Sequence, residues 1–296
     1  MRKWFIGFAA ALALATFAAR AHDDQLASVV IKPLKLAGSV WMLEGAGGNI
    51  GVSSGPDGLL IVDDQFLPLA DKIKAALKGI SPEGKLAFVV NTHWHGDHTG
   101  GNRVFGKDAT IIAQNNVRKR LEVKQERAGQ TIEASPKAAL PVVTFEDGAT
   151  IWFNDEQIEL VHVPHGHTDG DTIVFFKNAN VVHMGDQFFN GTFPFVDLAS
   201  GGDVSGYVQN VGDMIGRIGP DTKVIPGHGP LGTLADLKKF HAMLVATTDV
   251  VKAEIAKGMT LEQAKKAGLP NEWKSWASDF VPVDRWVEIV YTSLKR

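Results

Sequence analysis

Five apolar residues in a row, Leu86 to Val90, run straight into Asn91-Thr92-His93-Trp94-His95-Gly96-Asp97-His98. An unbroken apolar run of that length reads as a strand buried on both faces. It therefore fixes the place where three imidazoles and a carboxylate leave a core together. Residues two apart in an extended turn point to the same side, so His93 and His95 face one way. Asp97 and His98 lie further round the turn and can serve a neighbouring ion. The chain has no cysteine, which excludes disulfides, thiolate nucleophiles and every Cys-held zinc or iron–sulfur site. Imidazole and carboxylate ligands without thiolate suit zinc, and also manganese or iron.

Three other strand ends carry potential ligands. Pro164-His165-Gly166-His167-Thr168 follows Val163, Gly185-Asp186 follows Val181-Val182-His183-Met184, and Pro226-Gly227-His228-Gly229 follows Val224-Ile225. Glycines beside each candidate let the backbone bend toward a shared centre, and strand ends are where sheet folds assemble sites. Among the remaining histidines, His162 on a strand and His241 on a helix face read as structural. His183, just before Asp186, is placed to support a ligand. His165 lies beside the site, and His22 would open the chain once a leader is removed.

The rest of the pattern supplies a scaffold. Strands are expected at Val40 to Leu43, Ile50 to Ser53 and Leu59 to Val62, with Gly45-Ala46-Gly47-Gly48 as a hairpin tip. A helix begins near Pro68 with Leu69, Ile73, Leu77 and Ile80 on one side. A charged helix is expected from Asn115 to Arg127, with Arg118-Lys119-Arg120 as a solvated face. The second half repeats the order: strands at Val142 to Phe145, Thr150 to Phe153, Gln157 to Val163, Thr172 to Phe176 and Val181 to His183. A helix at Ser205 to Ile218 and a strand at Lys223 to Ile225 follow. A long helix is capped by Thr233, with Leu234, Leu237, His241, Leu244, Val251 and Ile255 as its stripe, and Gly258 closes it. Thr260-Leu261-Glu262-Gln263 forms a capping box. Strands, helix, strands, helix suggest two packed sheets with helices outside, in one domain.

At the start, Arg2 and Lys3 precede an apolar run from Trp4 to Ala19, short for a membrane span of about 20 residues. Ala19-Arg20-Ala21 supplies small residues where a signal peptidase reads. Residues 1–21 are thus expected to be a signal peptide, and the remainder to be periplasmic or secreted without stable membrane anchoring. The net charge of −3 becomes more negative when Arg2, Lys3 and Arg20 leave. That balance argues against nucleic acid and for a small-molecule substrate.

His93-Trp94-His95-Gly96-Asp97-His98 resembles the H-x-H-x-D-H signature of the metallo-β-lactamase superfamily. The later G-H-T, G-D and G-H-G pieces recur in the same order, and the likeness runs from about Val40 to Gly232. The resemblance implies an αββα sandwich of two mixed β-sheets flanked by helices, with a dinuclear site at the edge of the sheets. Residues 22–296 would form this domain with a C-terminal helical extension. By position, His93, His95 and His167 would hold the first metal and Asp97, His98 and His228 the second. Asp186 would bridge both, and Asp63 would support the ligands from behind.

Two zinc ions so held would generate a bridging hydroxide near neutral pH and attack a carbonyl. Asp97 would act as the catalytic residue, orienting the nucleophile and passing on its proton. Hydrolysis of a cyclic amide or ester, β-lactam-like, is the expected reaction. Departures from the pattern keep other readings open. Asp186 stands where one lactamase subgroup has a thiolate ligand, and Phe189 stands where that subgroup keeps a substrate-catching lysine. The carboxylate bridge is more similar to glyoxalase II thioesterases and lactonases, while export fits the lactamases. An iron-dependent sulfur oxidoreductase and a non-catalytic periplasmic accessory protein are further alternatives, although diiron oxygen reductases carry glutamate where His95 stands. In the segment from Phe188 to Asp197, Phe189, Asn190 and Phe193 are the candidate substrate contacts. Trp41 and Met42 are candidates for the opposite wall.

Overall fold

The computed structural model describes residues 26–127 and 130–296. The predicted leader and His22 lie outside these residues. Strands occupy the stretches where apolar residues alternate or run together: β1 (Lys32–Ala37), β2 (Val40–Glu44), β3 (Ile50–Gly55), β4 (Gly58–Val62), β5 (Leu86–Asn91) and β6 (Thr110–Gln114). β7 (Gln125–Arg127) and β8 (Gln130–Ile132) pair only with each other, and β9 (Val143–Phe145) returns to the first sheet. That sheet is 7-stranded in the order β1-β2-β3-β4-β5-β6-β9. β10 (Gly148–Phe153), β11 (Glu156–His162), β12 (Thr172–Phe176), β13 (Val181–His183) and β14 (Lys223–Ile225) form a 5-stranded sheet in sequence order. β4 with β5, β5 with β6, β6 with β9 and β13 with β14 are parallel, and the other pairs are antiparallel.

The helices are α1 (Ala70–Ile80), α2 (Gly96–Thr99), α3 (Asn102–Phe105), α4 (Asn115–Leu121), α5 (Val204–Arg217), α6 (Leu234–Ala256), α7 (Leu261–Ala267), α8 (Asn271–Lys274) and α9 (Val283–Leu294). Alternation with period two sorts the side chains into layers. In β4, Leu60 and Val62 enter the core between the sheets with Phe153, Ile158, Leu160, Val174 and Phe176. Leu59 and Ile61 face the other way, onto Ile73 and Leu77 of α1. In β12, Ile173 and Phe175 leave the inter-sheet core and pack with residues of α5, α6 and α9. The layers are therefore helix, sheet, sheet, helix, an αββα sandwich of mixed sheets as expected. Among the described residues no helix is long and apolar enough to cross a membrane.

Some expectations need correction. The run from Leu86 to Val90 sends Val90 into the inter-sheet core and Val89 into the outer one, but Leu86, Ala87 and Phe88 are only half-buried. The helix at Asn115 stops at Leu121 rather than Arg127. Beyond Leu121 the next apolar residue, Val123, is half exposed, and the polar stretch after it satisfies its backbone in the β7–β8 hairpin instead. Arg118-Lys119-Arg120 is not simply a solvated face. Arg120 forms a two-pronged pair with Asp169 at 2.7 and 2.6 Å, and Arg118 donates to the carbonyl of Pro141. The stripe of α6 buries Phe240, Met243 and Thr247 beside Leu237, Leu244 and Val251, whereas His241 lies at the rim and donates from Nε2 to the Val208 carbonyl at 3.1 Å.

Candidate metal centre

All the sequence-selected ligands meet where strands of both sheets end. β5 releases His93, His95, Asp97 and His98, β13 releases Asp186, β14 releases His228, and the loop after β11 supplies His167. In His93-Trp94-His95 the alternation turns Trp94 away, into a separate cluster with Val117 and Leu121 of α4. Two groups result. His93, His95, His167 and Asp186 form one, and Asp97, His98 and His228 form the other; the potential ligand atoms within each lie within 4.8 Å of one another. Asp186 stands between them. Its Oδ2 lies 3.7 Å from His93 Nε2 and 3.3 Å from His167 Nε2, and its Oδ1 lies 3.1 Å from His98 Nε2 and 3.4 Å from His228 Nε2. Asp97 Oδ2 lies 3.7 Å from His98 Nε2 and 3.4 Å from His228 Nε2.

Backbone geometry allows this approach at two glycines. Gly185 has φ +50°, which turns the chain out of β13 and aims Asp186 inward. At Gly227 a Cβ would fall 2.1 Å from Asp186 Oδ1, so any side chain there would displace the carboxylate.

Hydrogen bonds on the far side of each ring decide which nitrogen faces the centre. Thr92 Oγ1 donates to Asp63 Oδ2 at 2.7 Å, so the Nδ1–H of His93 donates to Thr92 Oγ1 at 3.0 Å and its Nε2 keeps a lone pair. His98 donates from Nδ1 to Asp63 Oδ2 at 2.7 Å. His167 donates from Nδ1 to the Phe195 carbonyl at 2.6 Å. His95 is reversed, donating from Nε2 to Asp197 Oδ2 at 2.9 Å. His93, His95 and His167 therefore each point a lone pair inward, and the inward Nε2 of His98 offers one once its second proton has left. His95 Nδ1 and His167 Nε2 are 2.9 Å apart; two lone pairs at that distance repel unless a cation lies against both. Buried His93 Nε2 and Asp186 Oδ1 have no hydrogen-bond partner. The donor set, the committed protons and these two orphaned atoms fit a pair of divalent cations.

Charge is balanced by protons when metal is absent. Burial opposes charge on His98, but the carboxylates of Asp186, Asp97 and Asp63 outweigh it and hold its pKa well above that of an ordinary histidine. His228 is likewise raised, against its burial, to about 9 by Asp186 and Asp97. Burial, then the neighbouring His98, pushes His93 well below the usual range. Asp97 and Asp186 stay ionised despite burial because the surrounding imidazoles hold their pKa values down. Metal held by these nitrogens would therefore displace protons from His98 and His228. Zinc titrated into metal-free protein near pH 7 should release about two protons per chain, with affinity rising as pH rises toward 9. Calorimetry in buffers of different ionisation enthalpy reads this directly, and binding without proton release would refute it.

Residues around the ligands were only partly legible in the sequence. Asp63, at φ +65°, does stand behind the ligands, accepting from Thr92 N and Thr92 Oγ1 as well as His98. His183 is buried and takes the Gly185 N–H on Nδ1 at 3.1 Å, so its Nε2–H donates to the Asn49 carbonyl at 3.0 Å. It joins two loops of the site and ligates nothing. His165 is exposed and belongs to neither group, and His162 bonds the Asp171 carbonyl. Three supporting residues were missed. Asp197 orients His95; Asp171 accepts from Thr168 N, Thr168 Oγ1 and Gln187 Nε2, and burial pushes its pKa up to about 6. Gln187 thereby ties the His167 loop to the Asp186 turn.

The site opens into a cavity of about 480 Å3 lined by Phe66, Phe189, Phe195 and Phe280 together with His95, Asp97, His167, Asp186 and His228. Phe189 stacks on His228, ring centroids 4.9 Å apart. Phe193 also borders the cavity but is fully buried, its ring stacked on Trp286. Asn190 does not border it, because its amide donates to the Pro230 carbonyl at 2.9 Å. The expected wall of Trp41 and Met42 is absent as well. Met42 alternates into the inter-sheet core and Trp41 packs on the outer one, under Lys35. Gly47 and Phe66 take that place.

Comparison with known proteins agrees with this architecture. The family model described as Metallo-beta-lactamase superfamily matches residues 37–239. A hydroxyacylglutathione hydrolase of Gloeobacter violaceus is 33% identical over 110 residues, 36% of each chain. The chain spans no more than about half the length of the first curated relatives it matches. Among solved structures, the sec-alkylsulfatase Pisa1 from Pseudomonas sp. superposes with a TM-score of 0.68 at 16% identity, over 88% of this chain and 50% of that one. DIM-1 metallo-beta-lactamase superposes with a TM-score of 0.61 at 17% identity, over 74% of this chain and 99% of that one. By this match, its histidine and aspartate pattern and its four layers, the chain belongs to the metallo-beta-lactamase superfamily.

Proposed function

We propose that this protein is a dinuclear zinc hydrolase that cleaves an acyl bond, with esters and lactones ahead of β-lactams. The observation that carries the proposal is the placement of Asp186, whose two oxygens face two separate histidine groups. His93, His95 and His167 would hold one cation, Asp97, His98 and His228 the other, and Asp186 would touch both. Divalent cations bound there supply Lewis acidity toward a carbonyl oxygen and lower the pKa of water toward neutrality. Both ligand carboxylates border the cavity, but Asp97 is the more exposed of the two, its side chain 23% accessible against 4% for Asp186. Asp97 accepts the proton of the attacking water and returns it to the departing oxygen. Asp63, Asp197 and the Phe195 carbonyl keep three of the imidazoles in the required tautomer.

Substrate preference follows from charge. Among the described residues no lysine or arginine lines the cavity over the ligands, so a β-lactam carboxylate finds no cationic side chain there. A neutral ester or lactone leaves no charge unpaired. Thioester cleavage, the reaction type suggested by the glyoxalase II-like relative, belongs to the same class. Export by the Met1–Ala21 leader is part of the proposal and rests on the sequence alone.

Asp97→Asn tests it. With zinc supplied until elemental analysis gives the wild-type content, and with the far-ultraviolet dichroism unchanged, turnover of a p-nitrophenyl ester should fall by about a hundredfold or more. Undiminished turnover in the metal-loaded variant would remove Asp97 from the chemistry. One iron per chain with no hydrolysis in the wild type would overturn the hydrolase reading itself and favour an oxidoreductase.

A further inference from the structure

The segment that follows the family-matching residues 37–239 does more than lengthen the chain. Between α8 and α9 it is pinned at two buried residues, Trp276 and Val281. The Trp276 carbonyl accepts from Phe193 N at 2.7 Å, and Val281 N donates to Ser278 Oγ at 3.0 Å. Between those anchors the chain lifts Phe280 out, 55% exposed, although the segment around it is tightly held. A single exposed phenylalanine is ordinary on a protein surface; this one is informative because it borders the cavity over the candidate ligands.

Its surroundings fix it there. The Phe280 ring lies 5.8 Å from that of Phe195, tilted by 58°. The guanidinium of Arg285 sits 5.1 Å from the Phe195 ring and 4.8 Å from the Phe280 ring, and Arg285 also donates to the Phe280 carbonyl at 2.5 Å. Arg285 thus clamps the two rings as one wall, and with them it lines another cavity rather than the one over the ligands. Phe280 borders both the cavity over the ligands and a second cavity of about 400 Å3 that begins at Asp97 and Phe66 and continues past Trp94, Leu121 and Ile132. The two spaces share Asp97, Phe66 and Phe280 in their walls.

We infer that Phe280 is a substrate-contacting specificity residue, and that the acyl group cleaved at this site is apolar and elongated, of the arylalkanoyl or medium-chain aliphatic class. The inference rests on the hydrolase reading above and deepens it. The reacting carbonyl sits at Asp97 and Asp186, and the apolar tail passes between Phe66 and Phe280 into the second cavity, along its apolar side of Leu121, Val123 and Ile132 and opposite its polar residues Arg103, Arg120 and Glu133. In the reaction the oxygen of water joins the acyl carbon, the ester C–O bond breaks, and the alcohol leaves with a proton. The acid product retains the tail. Arg285 is a positioning residue that sets the angle of the Phe195–Phe280 wall without meeting the substrate.

The test uses the zinc-loaded full chain and two methyl esters, of acetic acid and of 4-phenylbutyric acid, followed by acid release. Binding of 4-phenylbutyrate is measured separately by calorimetry. The wild type should prefer the phenylbutyrate ester by at least about tenfold in kcat/KM, since burying an aryl ring is worth that much or more. Phe280→Ala should shrink that preference by about tenfold and weaken 4-phenylbutyrate by a similar factor, with zinc content unchanged. Phe280→Leu should restore most of both. Equal preference in wild type and Phe280→Ala, or 4-phenylbutyrate binding that ignores the substitution, would overturn the inference. If the wild type cleaves neither ester yet binds 4-phenylbutyrate through Phe280, the hydrolase reading fails and the apolar site stands. If it cleaves esters without regard to the tail, the reverse holds.

Discussion

Asp186→Asn should leave the protein with no more than one zinc per chain and lower its ester hydrolysis by about a thousandfold. Asparagine matches the side chain in volume, so the effect isolates charge and lone pairs. One arm of the carboxylate faces His93 and His167 and the other faces His98 and His228. An amide offers one oxygen and one NH2, and whichever way it settles, one metal group then faces N–H donors in place of an acceptor. Removing one partner from a buried charge cluster costs about 3–5 kcal/mol, and each 1.4 kcal/mol is about tenfold in affinity. The loss is thus about a hundredfold to several thousandfold in metal binding. Gly227 leaves no slack for a longer replacement, because its missing Cβ is the space that Oδ1 occupies. Asp186→Glu should therefore fail as well, although it keeps the charge. Metal analysis after gel filtration reads both variants, and two ions retained in either would show that the bridge lies elsewhere.

The parts of this site legible in the sequence are those that local pattern encodes. His93, His95, Asp97 and His98 are contiguous, and the apolar run before them marks a strand end, so their convergence is a local statement. His167, Asp186 and His228 each follow an apolar strand and sit beside glycine, and the resemblance to a known signature joined them to the first four. The supporting shell is different in kind. Asp197 orients His95 from 102 positions away, and nothing in the intervening sequence connects them. Phe280 sits in a short turn between two helices, where no periodicity reports what it faces. The same limit explains the misplaced wall: Met42 and Trp41 adjoin a Gly-rich turn in sequence, but strand alternation sends both away from the cavity. At α4 the helix-forming residues after Leu121 have no apolar partner to hold them, so tertiary pairing in a hairpin overrides local propensity.

Replacing Asp63 should show that the site's framework and its ligand chemistry are one network. Asp63 is fully buried in a left-handed backbone conformation that few residues other than glycine, asparagine and aspartate tolerate. Its carboxylate accepts three hydrogen bonds of 2.7 Å, from Thr92 N, Thr92 Oγ1 and His98 Nδ1. Asp63→Asn preserves the backbone preference but puts an NH2 against at least one of those donors. If it faces His98, the imidazole must accept on Nδ1 and carry its proton on Nε2, the nitrogen aimed at Asp97 and Asp186. If it faces Thr92, the hydroxyl turns, and the proton relay that fixes His93 is broken. Either arrangement weakens metal binding by about ten- to a hundredfold. Asp63→Ala goes further and leaves the Thr92 N–H and hydroxyl unpaired in the core, lowering stability by about 1–3 kcal/mol for each buried group so stranded. Melting temperatures of metal-free and zinc-loaded protein separate the two effects. The alanine variant should melt several degrees lower in both states, whereas the asparagine variant should lose mainly the increment that zinc adds. A normal zinc increment in the asparagine variant would mean that Asp63 holds the loop but does not set the histidine tautomers.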